Sequence, residues 1–231
     1  MNFFILSLFP EFVENATNFS ILKRAKEKEI IKVIPVNIRD FATNKHKTTD
    51  LPPYGGGAGM VLKPEPIFAA VYEIYRKYKL NKKSTKTILL SASGELFTQK
   101  TAKKLTKVQN IVLICGHYEG VDERVSKFLA DEEISIGSYI LSGGEYPALI
   151  IIDSISRLLP NVLENKNSKD EESFNRNILE YPQYTRPENF EGKRVPKILL
   201  SGNHEKIKKW RKENSIKKTL KNRPDIMGRE V

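Results

Sequence analysis

Three stretches of the chain combine residue types and spacing suited to ligand chemistry. The first is residues 134–147, ISIGSYILSGGEYP, where Gly137, Gly143 and Gly144 stand among apolar and hydroxyl side chains. A backbone of that composition can turn sharply and lie close against a ligand. The loop has no cationic side chain, so it would hold a ligand through backbone N–H and C=O groups. That suits the polar edge of an adenine better than a triphosphate. A glycine-rich turn between two buried strands accounts for these residues equally well. The second stretch is residues 46–61, HKTTDLPPYGGGAGMV, where two prolines and four glycines exclude regular structure. It reads as a ligand or substrate loop, with Tyr54, Gly55, Gly56 and Gly57 as candidate substrate contacts, or else as a structureless lid. It lacks the Gly-Lys-Ser/Thr ending of a P-loop, and Met60 stands where the last glycine of a G-x-G-x-x-G turn would be. The third is Gly116-His117-Tyr118-Glu119-Gly120.

The elements that must position these stretches follow an α/β pattern. Residues 3–8 and 30–36 read as strands, and residues 20–27 and 66–78 have helical spacing. Residues 87–90 form a further strand ending in Ser91-Ala92-Ser93-Gly94. Residues 111–115 form a strand that enters the third stretch, and a strand around Ile134 enters the first. Helical spacing resumes from Ile150 to Pro160, with Arg157 near its end. In open α/β sheets ligands sit outside the carboxyl ends of the strands. Three apolar segments ending in Gly- or Ser-bearing turns can therefore converge on one pocket.

With 231 residues, 39% of them hydrophobic, the chain suffices for one large domain or two ordinary ones. No apolar run approaches the roughly 20 residues of a membrane helix, and MNFFILSLFPEF has neither a basic n-region nor a small-residue cleavage site. These features lead us to expect a soluble protein with no membrane partner. Cys115 is the single cysteine, and His46, His117 and His204 are far apart, which supports neither a disulfide framework nor a metal site and fits the cytoplasm. The net charge of +11 favours an anionic partner such as nucleic acid. Residues 191–231 carry 13 basic and 5 acidic side chains, hence +8 of that total. Within them Asn203 caps a helix from His204, with Ile207 and Trp210 on its apolar stripe. Lys208, Lys209, Arg211 and Lys212 lie off that stripe as candidate polyanion contacts, and Ser215 caps a second short helix through Leu220. The polar run after Asn161 reads as a linker. The expected organisation is a catalytic domain over 1–160, a linker over 161–175 and a basic helical domain over 176–231.

The runs DLPPYGGGAGMV, CGHYEGVDERV, SIGSYILSGGE, YTRP and SGNHEKIKKWR, spread over nearly the whole chain, resemble bacterial tRNA (guanine-37-N1)-methyltransferases of the knotted SPOUT superfamily. The resemblance implies an α/β domain whose parallel sheet ends in a trefoil knot, followed by a small all-helical domain. It also implies a homodimer with the active site at the subunit interface, the tRNA anticodon stem-loop as partner and S-adenosylmethionine as methyl donor, and it suggests Mg2+ as an assisting ion. Carried over by motif, the donor site falls on Leu90 and Ser91, on Gly116, on Ile136, Gly137, Ser138, Tyr139, Ile140 and Leu141, and on Gly143 and Gly144. Tyr118 and Glu119 line it. Arg157 matches the family's catalytic arginine. The family's usual base, an aspartate before Ser-Phe, is replaced by Glu172 before Ser173-Phe174, one methylene longer.

The chemistry supports that pairing. N1 of guanine is protonated at neutral pH, so its methylation needs a carboxylate to take the proton and a cation to stabilise charge growing on O6. Glu172 and Arg157 are one of each. Three other readings compete. One is another S-adenosylmethionine-dependent RNA methyltransferase of the superfamily. A non-catalytic RNA-binding protein is the second, but it needs no convergent glycine turns. The third, a Rossmann-type dehydrogenase, requires G-x-G-x-x-G after the first strand, where Phe9-Pro10-Glu11 stands instead.

Overall fold

A computed structural model describes residues 1–163, 173–174 and 177–227. Contacts divide the chain into two units, Met1–Glu164 and Asn165–Val231.

The first unit is α/β. Its strands in chain order are β1 (Asn2–Ser7), β2 (Lys32–Asn37), β3 (Asp50–Leu51), β4 (Val61–Leu62), β5 (Thr85–Leu96), β6 (Asn110–Cys115) and β7 (Glu132–Ser135). Five of them form one parallel sheet in the order β2-β1-β6-β5-β7, while β3 and β4 make a separate antiparallel pair. The strands at the centre are buried on both faces, so they read as unbroken apolar runs, NFFILS and NIVLIC. Alternation sends Phe3, Ile5, Leu113 and Cys115 to one face. There they meet α1 (Pro10–Ala16), α2 (Ser20–Glu27), α4 (Gln99–Leu105) and α6 (Glu145–Ser156). Phe4, Leu6, Val112 and Ile114 face the other way, against α3 (Pro64–Lys77) and α5 (Glu123–Phe128). Pro35, which cannot donate to a ladder, is accommodated in the edge strand β2.

Two features differ from the expected elements. The strand expected over residues 3–8 ends at Ser7, and Pro10 opens α1, a helix not expected, where its fixed φ suits the first helical turn. And β5 does not stop at Leu90. It runs on to Leu96, with Ile134 pairing first to Leu90 and again to Glu95, so that Ser91 to Gly94 stand out of the ladder as an arch. Gly94 lies so close to β7 that a Cβ there would come within 2.5 Å of the Glu133 carbonyl carbon and the Ile134 nitrogen.

In the second unit the two expected helices are one, α7 (His204–Asn222), capped by Asn203, whose side chain accepts from the Lys206 N–H at 3.0 Å. Ser215 does not start a new helix. It is buried within α7, where Thr219 Oγ1 donates to its carbonyl at 2.7 Å and accepts from the Leu179 N–H at 2.8 Å. A hairpin of β8 (Asn189–Phe190) and β9 (Lys193–Arg194) accompanies α7, so the described part of this unit is not all-helical.

Candidate functional site

The arch of β5 and the carboxyl ends of β6 and β7 open onto a cavity of about 410 Å3. Backbone contacts hold its rim together. The Gly144 N–H donates to the Gly116 carbonyl at 2.9 Å, and His117 bridges Gly143 in antiparallel fashion. No other residue fits at 144, because a Cβ there would lie 2.6 Å from the Cys115 Cα. The loop after β6 is tied in turn to the proline- and glycine-rich loop: Glu119 N–H donates to Met60 O at 3.0 Å and Leu62 N–H to Gly120 O at 2.9 Å. Tyr118, on the cavity wall, has φ of 58°, a left-handed conformation uncommon for a non-glycine residue. Such local strain is concentrated at binding and catalytic sites.

Behind the wall, Glu145 opens α6 and is 6% exposed. Ser7 Oγ donates to its Oε1 at 2.6 Å. Burial first, and the Glu145 carboxylate second, push the Cys115 thiol well above its ordinary 9.0. Glu133 lies on the cavity wall itself. Burial by itself would push its carboxyl up. Hydrogen bonds from Ser126, Ser91 and Ser93 outweigh that and hold it below the ordinary glutamate value of 4.5.

Of the residues expected to hold a donor, Leu90, Ser91, Gly116, Tyr118, Glu119, Ile136, Gly137, Tyr139, Ile140, Leu141, Gly143 and Gly144 line this cavity. Ser138 does not. Tyr54 is fully exposed at the tip of its loop, and Gly55, Gly56 and Gly57 beside it take φ of 85°, 82° and 124°. Arg157 is also outside the cavity lining. It caps the carboxyl end of α6, thirteen residues beyond Gly144, which the helical rise converts to about 20 Å. Glu172 falls outside the described residues. On α7, Lys208, Lys209 and Lys212 are exposed, but Arg211 is not on the same face. It is half-buried on the inner stripe, its guanidinium carbon 4.6 Å from the centre of the Tyr181 ring. This corrects its placement off the stripe: 207, 210, 211, 214 and 215 recur at helical spacing on one side.

Ser93 and His117 belong to the turns expected to converge here, while Ser126 and Glu133 are lining residues that the sequence reasoning missed. A signal for Glu133 existed, since a carboxylate next to the buried Ile134 of a strand needs hydrogen-bond donors around it. The charge of the wall is distinctive. Glu119, Glu123 and Glu133 lie on it, and among the described lining residues there is no lysine or arginine, although the protein carries +11. Such a site repels phosphates and suits a neutral or cationic ligand. Among the described residues no group of three or more His, Cys, Asp or Glu side chains could hold a metal ion, and no helix is long and apolar enough to cross a membrane.

Comparison with known proteins places this geometry in context. A family model described as tRNA (Guanine-1)-methyltransferase TrmD matches residues 1–229. The tRNA (guanine-N(1)-)-methyltransferase of Caldicellulosiruptor saccharolyticus is 55% identical over 228 residues, covering 99% of this chain and 91% of that protein. The one from Clostridioides difficile strain 630 is 52% identical over 226 residues, covering 98% and 97%.

Proposed function

The chain belongs to the tRNA (guanine-1)-methyltransferase family, and from that premise we propose that it transfers a methyl group from S-adenosylmethionine to N1 of guanine 37, beside the anticodon of tRNA. The observation that carries the donor assignment is the cavity's charge: three glutamates and, among its described residues, no lysine or arginine. A dinucleotide cofactor would bring phosphates against that wall, whereas S-adenosylmethionine supplies an electrophilic methyl on a cationic sulfonium. The backbone groups of residues 136–144 hold the adenine. Glu172 accepts the N1 proton and Arg157 stabilises the charge on O6. The Ser173-Phe174 pair, by which Glu172 is matched to the family's base, is itself hydrogen-bonded to the residues that follow. Ser173 Oγ accepts from the Glu180 N–H at 3.0 Å, and the Phe174 N–H donates to the Ile178 carbonyl at 3.0 Å. No step is assigned to Mg2+, for which the described residues offer no donor set.

The enzyme acts as a homodimer with its active site at the subunit interface. Two observations support this. Arg157 stands about 15 Å along α6 from Pro147, the cavity-lining residue nearest to it on that helix, and Phe12 of α1 and Tyr146 and Ile150 of α6 are exposed, with the Phe12 and Tyr146 rings 5.1 Å apart. Ile140, on the cavity rim, is 84% exposed as well. A second copy covering this face would remove it from water. The arch of β5 over β7 and the close seating of Gly144 on Cys115 support the trefoil knot. Lys208, Lys209 and Lys212 contact tRNA phosphates around the anticodon stem-loop, and the Tyr54 to Gly57 tip meets the substrate. Such a reaction belongs to the cytoplasm.

Thermal-shift measurements with S-adenosylmethionine and NAD, followed by methylation of a tRNA transcript and of the same transcript with guanine 37 replaced, test the proposal. Stabilisation by S-adenosylmethionine alone, and methylation abolished by the replacement, are the expected results. Methylation that survives the replacement would reassign the enzyme to another nucleotide, as for a different RNA methyltransferase of the superfamily. Binding of RNA with no response to the donor would leave a non-catalytic RNA-binding protein.

A further inference from the structure

We propose that Glu133 makes the cavity prefer the charged methyl donor over the uncharged product, an inference that rests on the donor reading above. The Glu133 carboxylate is held from two sides: Ser93 Oγ donates to Oε1 at 2.8 Å and Ser126 Oγ donates to Oε2 at 2.7 Å. Ser93 is itself fixed, with its N–H donating to Ser91 Oγ at 3.1 Å and the two hydroxyls 2.8 Å apart. One negative charge is thus locked between the β5 arch, α5 and β7, all of which line the cavity. The other two carboxylates of the wall are different. Glu119 and Glu123 are exposed, and Glu123 pairs with Lys127 at 3.5 Å, so water and a counter-charge blunt their fields. Glu133 is partly buried, so it is screened less than these two, and the hydroxyls already fixed on its carboxylate need no rearrangement when a cation arrives.

The charge of the ligand changes during the reaction. The N1 lone pair forms the new bond to the methyl carbon, the electron pair of the broken S–C bond stays on sulfur, and the N1 proton goes to the base. Sulfur is then a neutral thioether, and the ligand has lost one positive charge. Its attraction to Glu133 is lost with that charge. For a partly exposed pair the difference favours donor over product by about tenfold. Release of product is eased by the same residue that recruits the donor.

Calorimetric titration of the full chain with S-adenosylmethionine and with S-adenosylhomocysteine tests this. Glu133→Gln should weaken S-adenosylmethionine about tenfold while leaving S-adenosylhomocysteine nearly unchanged, and Glu133→Asp, which keeps the charge, should restore most of the ratio. Equal loss of both ligands in the Gln variant would mean that Glu133 merely braces the arch, and unchanged donor affinity would mean that its charge is not felt. Either result overturns the proposal. Should Glu133→Gln fail to fold, Ser126→Ala decides in its place: by freeing one carboxylate oxygen it should lower the donor-to-product ratio roughly threefold, and an unaltered ratio overturns the proposal. If the unmodified protein binds neither ligand, it is the donor assignment that fails.

Discussion

Cys115 and Glu133 show how their surroundings set the chemistry of single side chains here. Cys115 is completely enclosed, and the buried Glu145 nearby adds its negative charge, so the thiolate is disfavoured twice. A thiol reagent at mildly alkaline pH should therefore leave Cys115 unlabelled in the folded protein and label it fully after denaturation. Rapid labelling of the native state, read by mass spectrometry, would contradict that burial. Glu133 has the opposite character. Because its folded value lies below 4.5, its contribution is complete above that pH and is lost only as pH falls through the lower value. The glycines of residues 134–147 were legible as a pocket edge because a turn between buried strands can be met by few other residues. Glu133 was not, because it sits beside Glu132 and the two together look like a solvated strand end. Strand alternation separates them: Glu132 faces outward to Lys86 and Lys104, at 3.5 Å and 3.1 Å, while Glu133 turns to the serines.

Among the elements, β5 carries the site. Its arch exists because Ile134 is paired at two places, and Gly94 allows the two backbones to touch. Gly94→Ala must push the arch away from β7 by the width of a methyl group, which should cost about 1–3 kcal/mol as overpacking does and should weaken S-adenosylmethionine binding as well. Thermal melting and calorimetry on the same variant check both. A normal melting temperature with normal affinity would show that the arch is free to move. The long strands and α3 and α6 could be read from the sequence, because their apolar residues recur over enough turns or run unbroken. So could α2, but the short helices α4 and α5 could not. In α4 only Ala102 and Leu105 are buried and in α5 only Val125, too few to establish a period, and what marks each is its cap, Thr98 and Asp122. Ser215 misled for a related reason. A serine is a favoured N-cap residue, and only the bond from Thr219 Oγ1 to the Ser215 carbonyl, with Leu179 in turn on Thr219, shows that the helix continues.

At the scale of the molecule, chemistry is divided between distant parts of the sequence. The cavity proposed for the donor lies on the sheet of the first unit, Arg157 at the far end of α6, and the basic surface on α7. If Arg157 and Glu172 act from opposite subunits, Arg157→Ala and Glu172→Ala proteins, each inactive, should recover part of the activity when their subunits are exchanged. Absence of recovery in a mixture whose exchange is verified would place both residues in one chain's site. The order of the strands, β2-β1-β6-β5-β7, has a consequence for the making of the protein. Asn2 and Asn110, whose side chains meet at 2.8 Å, are 108 positions apart. At typical synthesis speeds of about 5–20 residues per second, β1 waits roughly 5 to 20 s for β6 to emerge. During that time Phe3, Phe4, Ile5 and Leu6 have β2 alone to pair with, and two strands by themselves are only marginally stable in water. The centre of the sheet cannot close before about half the chain has left the ribosome, so the interval of greatest risk for sticking to neighbours is set by the speed of translation, and a holding chaperone would find its target in those four residues.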